Sequence, residues 1–397
     1  MKKTPVFHDT TLRDGNQSLA KPWNLEEKLE VFGLLKALGV EKIEAGFPSA
    51  SAMDFETCRT IAQTADGKTT VGALTRAVEK DIKTTYESIS CAVNPRIHIV
   101  LALSPFTMEH VLKMQPERVK QLAVESVAYA RSLLKNKGEV QFTAEHFGDC
   151  MENLDFVTET FLACADAGAD IINMPNTVER YRPYLFTNMV ERVVTALPQR
   201  VTASVHCHND LGMATATSVE SYFAGAVQIE TCMNGIGERA GNANLFEIAA
   251  VLNNCGVETG LNMKLFAQTA ERMAELSETP IHIKAPLFGE EAVMHRSGIH
   301  QDGAAKTKNM TKGAYRPMDF SAIGREQNDR MGFTSQSGRS ALTEILAQAG
   351  ISLTAQQAAE FIKICKAASE TEGELSHRRI LELYCAENPQ ESGGNIR

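Results

Sequence analysis

Eight times in the first ~255 residues, a short apolar run is followed by a longer amphipathic one. PVFHDTT precedes LEEKLEVFGLLKALG, and EKIEAGF precedes SAMDFETCRTIAQ. RIHIVLAL precedes PERVKQLAVESVAYARSLLK, and the series closes with VQIETCMNGIGE and NLFEIAAVLNN. Short buried strands that alternate with helices pair in parallel. Eight such units over about 250 residues is the span of a (β/α)8 barrel. An open doubly wound sheet is the competing arrangement, but no glycine-rich dinucleotide fingerprint follows the first strand to favour it.

The rhythm stops near residue 285. Segment 286–330 has turn residues, mixed charge and little periodicity, and reads as an extended linker with short helices. SGRSALTEILAQAG, SLTAQQAAEFIKICKAASE and LSHRRILELYCAEN then read as a small helical subdomain over 331–390. The tail 391–397 reads as disordered. The expected fold is therefore α/β: a (β/α)8 TIM barrel at 1–285, an extended linker and a small helical C-terminal subdomain.

Composition narrows the function. Lys plus Arg is 40 against 49 Asp plus Glu, a net charge of −9. This balance argues against nucleic acid or an anionic membrane as the main partner. Nine cysteines, odd in number and without a CxxC pair, suit a reducing compartment. The N-terminus lacks the apolar run of a signal peptide, and no apolar stretch reaches the ~20 residues that span a bilayer. A cytoplasmic protein is expected.

In a barrel of this kind the chemistry sits at the C-terminal ends of the strands. Strand one ends at Arg13 and Asp14, with Gln17 in the same turn. Strand two offers Glu44, strand four His98, strand five Thr143 and Glu145, and strand six Asn176 and Thr177. Strand seven delivers HCHND, and strand eight runs into NGIGERAGN with Glu238, Arg239 and Asn242. Residues two apart in a strand share a face, so His206 and His208 both point into the barrel mouth. With Asp14 as a third donor and the Asn242 side-chain oxygen as a fourth, they form a candidate metal site. Imidazoles with oxygen donors and no thiolate suit Mn2+, Mg2+, Zn2+ or Co2+. Arg13 would set a fixed positive charge beside that metal, where a carbonyl could be polarised.

HDTTLRDGNQ, HCHNDLGMA and NGIGERAGNANL resemble the signature motifs of the DRE-TIM metallolyase superfamily, in its Claisen-condensing branch. GFPSASAMDFE, INMPNTVE, SGIHQDG and TSQSGRSAL are similar to those of 2-isopropylmalate synthases. The resemblance runs from about residue 5 to about 385. It implies condensation of acetyl-CoA, as co-substrate, with a 2-oxoacid, giving a 2-hydroxy-dicarboxylic acid and CoA. In this family the oxoacid is 2-oxoisovalerate, and the pathway is leucine biosynthesis.

The resemblance also implies roles. Asp14, His206, His208 and Asn242 match the metal ligands, and Arg13 matches the Arg that polarises the oxoacid carbonyl. Thr177 matches the Thr that binds the substrate carboxylate. Glu145 and His98 match pocket residues, and Gln17, Thr143 and Glu238 complete the substrate set. His300 and Tyr315 match residues implicated in acid/base work and thioester hydrolysis. In the family these two come from the neighbouring chain. A homodimer is therefore expected, with segment 286–330 reaching the partner's active site. Leucine inhibition through a further C-terminal domain is expected to be absent.

Homocitrate synthase and citramalate synthase are the nearest rivals. The first often has Glu where this chain has Asp14, and an acid where it has Ser204, so both positions lean toward the 2-isopropylmalate synthases. An apolar pocket around Leu74, His98 and Thr143 favours a branched oxoacid, unless Arg76 serves a second carboxylate. An acyl-CoA lyase of the same superfamily would need a cysteine-bearing glycine-rich loop, which MHRSGIHQDG does not supply.

Overall fold

The computed structural model describes residues 3–135, 137–326 and 329–389; the tail 391–397 lies outside them. The chain divides into two compact units, Met1–Pro280 and Ile281–Arg397.

The first unit is a closed parallel barrel whose eight strands follow chain order. They are β1 (Val6–Asp9), β2 (Lys42–Glu44), β3 (Thr70–Arg76), β4 (Asn94–Ala102), β5 (Glu139–Glu145), β6 (Ile171–Asn176), β7 (Thr202–Cys207) and β8 (Gln228–Thr231). The ring closes where β1 lies beside β8, with Phe7 opposite Ile229 and His8 opposite Glu230. The connecting helices are α1 (Leu25–Ala37), α2 (Ala52–Thr64), α3 (Glu79–Ile89), α4 (Pro116–Leu134), α5 (Leu154–Ala167), α6 (Pro183–Ala196), α7 (Ala214–Phe223) and α8 (Leu245–Asn254). A ninth, α9 (Phe266–Leu276), follows. Their ends carry local signals. Asn24 and Glu27 form a reciprocal capping box at α1, and Pro116 opens α4, where its missing N–H costs nothing.

The strands alternate, and this alternation places the site. One set of side chains is apolar and fully buried: Ile43, Val71, Ile97, Ile99, Val140, Phe142, Ile172, Val205 and Ile229. The other parity holds polar groups that stand side by side across the ladders. His98 lies opposite Gln141, Thr143 opposite Asn173, and His206 opposite Glu230. These polar side chains are also buried and bond to one another across the ring, so they fill the barrel interior. The apolar set then faces the helices, where burial stabilises by about 25 cal/mol per Å2.

In the second unit, β9 (Met294–His295) pairs with β10 (Arg330–Met331) in parallel. Helices α10 (Gly298–Thr307), α11 (Arg339–Gln348), α12 (Ala355–Glu372) and α13 (His377–Glu387) complete it. Phe333, Leu342, Ile345, Leu346, Phe361, Leu375, Ile380 and Tyr384 form its core. The sequence reading separated a linker, 286–330, from a helical subdomain, 331–390. Here the two segments form one unit. Buried Gln301 donates to the carbonyls of His295 and Gly332, 2.9 and 2.7 Å away. Two-residue strands and one buried amide leave no periodic trace in the sequence.

Candidate metal centre at the barrel mouth

Arg13 and Asp14 sit in a single turn of π-helix, Thr11–Gly15, directly after β1. Such turns are rare and cluster at functional sites. Asp9 fixes the turn by accepting the Thr11 N–H at 2.9 Å. The guanidinium of Arg13 forks between two acids. Its Nε donates to Glu44 Oε2 at 2.6 Å and its Nη1 to Asp14 Oδ2 at 2.7 Å. Adjacency in sequence therefore puts one cation beside one candidate ligand.

His206 and His208 follow at the end of β7. Their Nε2 atoms lie 3.2 Å apart, and His206 Nε2 is 3.8 Å from Asp14 Oδ2. Among the described residues, Asp14, His206 and His208 can each offer a ligand atom within 4.8 Å of the others. Two imidazole nitrogens 3.2 Å apart match two bonds of roughly 2.1 Å meeting at about 100°. Asn242 donates from Nδ2 to Asp14 Oδ1 at 2.8 Å. Among the described residues its buried Oδ1 has no hydrogen-bond partner, nor has His208 Nδ1.

Electrostatics agree with a dication. Asp14 and Glu44 are buried carboxylates paired with Arg13, and buried Glu230 lies against His206. Buried carboxylates beside the candidate ligand atoms favour a cation there. Burial alone would raise the Asp14 carboxyl, but Arg13 and the two histidines hold it well below the ordinary range. Burial, then His206, lowers His208 to about 3, so it presents a neutral imidazole. The donor set and the charge both fit Mn2+, Mg2+, Zn2+ or Co2+.

A cavity of about 280 Å3 opens above this cluster. Its lining includes Arg13, Gln17, His98, Thr143, Glu145, Thr177 and Glu238, with Phe47, Leu74, Val100 and Pro175 as its apolar part. His98 binds Glu44 Oε1 through Nδ1 at 2.5 Å and Thr143 Oγ1 through Nε2 at 2.6 Å. Gln17 Nε2 donates to Glu238 Oε1 at 3.0 Å. Thr177 Oγ1 accepts the His146 N–H at 2.8 Å. Arg76 is absent from this lining, and its largely exposed side chain pairs with Asp81 at 2.6 Å.

His300 and Tyr315 belong to the second unit and stack at 4.1 Å, 18° from parallel. Gly303, one turn beyond His300 on α10, makes room for the phenol, since a Cβ there would lie 2.5 Å from Tyr315 Cε2.

The sequence reading missed three interior groups. Glu230, Gln141 and His8 are buried inside the barrel. Gln141 shares its inward parity with Glu139, Thr143 and Glu145 on β5, and Glu230 shares its parity with Gln228 on β8; that alternation of polar residues was the available signal.

Residues 4–273 match the HMGL-like family model, and 287–373 match the homocitrate synthase post-HMGL domain-like model. The chain is 53% identical over 382 residues to 2-isopropylmalate synthase 2 of Leptospira interrogans, covering 96% of this chain and 88% of that one. It is 39% identical to the 2-isopropylmalate synthase of Halalkalibacterium halodurans, covering 96% and 73%. An HMG-CoA lyase structure from Bacillus subtilis shares the fold with a TM-score of 0.61 at 16% identity, over 71% of this chain and 97% of that one.

Proposed function

Because this chain belongs to the 2-isopropylmalate synthase family, whose members are acyltransferases of the HMGL-like fold, we propose that it condenses acetyl-CoA with 2-oxoisovalerate to give 2-isopropylmalate and CoA. The observation that carries the metal-dependent part is the convergence of Asp14, His206 and His208 within 4.8 Å, with Arg13 Nη1 2.7 Å from Asp14. These three side chains, with Asn242 Oδ1, would hold a divalent cation, which supplies Lewis-acid polarisation of the 2-oxo group.

In the reaction, a methyl proton leaves acetyl-CoA and the resulting carbanion bonds to C2 of the oxoacid. The carbonyl electron pair moves to oxygen, which takes up a proton. Water then cleaves the thioester, releasing the CoA thiol and a carboxylate. Arg13 stabilises the oxygen as its charge develops. Thr177 and the amide of Gln17 bind the oxoacid carboxylate, and Glu238 lines the acetyl-CoA side. His98 and Thr143 form the floor under the oxoacid. Glu145, exposed at the rim, and His300 are the candidate proton carriers. Tyr315 stacks on His300 and orients it.

The side-chain pocket supports a branched aliphatic oxoacid. Phe47, Leu74, Val100 and Pro175 line it, and Arg239, the remaining cavity arginine, is bound to Asp210 at 2.7 Å. A homodimer that contributes His300 and Tyr315 in trans is part of the proposal. So is a reducing, cytoplasmic setting, supported by nine free cysteines. Among the described residues no helix is long and apolar enough to cross a membrane.

The test is CoA release from acetyl-CoA with 2-oxoisovalerate, pyruvate, 2-oxobutyrate, 2-oxoglutarate and oxaloacetate, with Mn2+ or Mg2+ and after chelation. Highest kcat/KM with 2-oxoisovalerate, lost on chelation, is expected. Preference for 2-oxoglutarate would make the enzyme a homocitrate synthase, and preference for pyruvate a citramalate synthase. No thiol release with any oxoacid would end the condensation reading.

A further inference from the structure

Below the metal cluster the barrel is filled by side chains whose hydrogen-bond directions can be worked out one by one. Arg96 on β4 is 1% exposed and has only donors. Its Nη1 contacts Gln141 at 3.1 Å and Gln228 at 2.9 Å, so both amides must turn their oxygens toward it. Gln228 then spends its NH2 on Gln141 Oε1 and Ser204 Oγ, at 3.1 and 2.9 Å. The NH2 of Gln141 has two neighbours left, Glu230 Oε1 at 2.5 Å and His98 Nε2 at 3.1 Å. His98 must therefore accept at Nε2, from Gln141 and from the Thr143 hydroxyl, and donate from Nδ1 to Glu44.

Glu230 is the convergence point. Its Oε1 accepts from Gln141 and lies 3.2 Å from His8 Nδ1. Its Oε2 lies 3.0 Å from His206 Nδ1, a close charge contact rather than an aligned hydrogen bond, since that nitrogen has no hydrogen-bond partner among the described residues. A proton held on His206 Nδ1 leaves the Nε2 lone pair free to face His208 and Asp14. Resting on the reading of that trio as a metal site, we propose that Glu230 is the positioning residue for His206, and that buried Arg96, through Gln141, fixes the hydrogen-bond direction of the whole cluster. His98 is then an acceptor at the cavity floor and passes no proton from Nε2 to the substrate.

The test uses the full chain. Calorimetric titration with Mn2+ alone compares wild type, Glu230→Gln, Gln141→Met and His206→Ala, alongside the melting temperature of each metal-free protein. Glu230→Gln is expected to weaken Mn2+ binding 10–100-fold while the metal-free protein stays folded. Gln141→Met is expected to weaken it by a smaller factor. Nitrogen-15 histidine spectra of the wild type with Mg2+ are expected to show protons on Nδ1 of both His98 and His206. This last reading stands even where a variant fails to fold. Wild-type Mn2+ affinity in folded Glu230→Gln, with affinity lost in His206→Ala, overturns the role of Glu230. A proton on His98 Nε2 overturns the Arg96–Gln141 direction. Unchanged affinity in His206→Ala overturns instead the metal site on which the proposal rests.

Discussion

Replacing Gly237 by alanine tests the site through one added methyl group. A Cβ there would lie 2.2 Å from Asn242 Nδ2, 2.6 Å from its Cγ and 3.1 Å from Asp14 Oδ1. These contacts are far inside van der Waals distance, and Gly237 is not among the glycines with positive φ, so the effect is steric. Asn242 has to move, and its 2.8 Å bond to Asp14 is lost. A hydrogen bond to a charged group contributes about 1.5–3 kcal/mol, and overpacking costs a further ~1–3 kcal/mol. The metal-free protein should lose about 2 kcal/mol or more and melt roughly 3–6 °C lower. Mn2+ should bind roughly 10–100-fold more weakly, because the displaced Asn242 no longer orients Asp14 or presents its Oδ1. Calorimetric titration with Mn2+ and a thermal scan of the metal-free protein measure both. A folded Gly237→Ala protein with wild-type Mn2+ affinity would refute the pairing of Asn242 with Asp14 as part of the metal centre.

Gly33, inside α1, is the matched control: a Cβ there meets nothing within 4 Å, so Gly33→Ala should raise stability by about 0.5–1 kcal/mol with unchanged metal affinity. Burial raises the Asp9 carboxyl to about 7. Between about pH 4 and 7 the folded state therefore holds a proton that the unfolded chain has released, and the stability this gives is lost as pH rises through 7. Asp9→Asn keeps the acceptor for Thr11, so thermal scans at pH 5 and pH 8 should show the wild type losing more stability than the variant; equal losses would show that Asp9 does not titrate in this range. Arg13→Lys keeps a charge but cannot fork between Glu44 and Asp14; kcat should fall about 10²–10³-fold, and a loss confined to KM would remove Arg13 from the reacting oxygen. Mixing inactive Arg13→Ala and His300→Ala proteins should restore about a quarter of wild-type activity by random exchange in a two-fold dimer, whereas a His300 that acts within its own chain would give none.

Much of the centre was legible because its parts are local. HCHND puts two imidazoles on one face by parity alone, and RDG joins cation and acid by adjacency. The cavity set was also within reach, since each residue sits at the C-terminal end of a strand, as His98 does on β4. Gln141 and Glu230 were passed over because a polar residue deep in a strand does not say which groups stand opposite it. Arg76 stayed an open alternative for the same reason: its position near the end of β3 was readable, but its bond to Asp81 was not.

The sequence by itself determined the eight-unit barrel, the end of that barrel on which chemistry gathers, and the shared face of His206 and His208. Strand parity and the order of elements need only neighbours a few residues apart. Closure of the ring decided the rest. It sets His8 beside Glu230 across 222 residues, Arg13 against Glu44 and Asn242 against Asp14 across 228. Which inward groups meet depends on the register around a closed barrel, and register is fixed only when all eight strands pair at once.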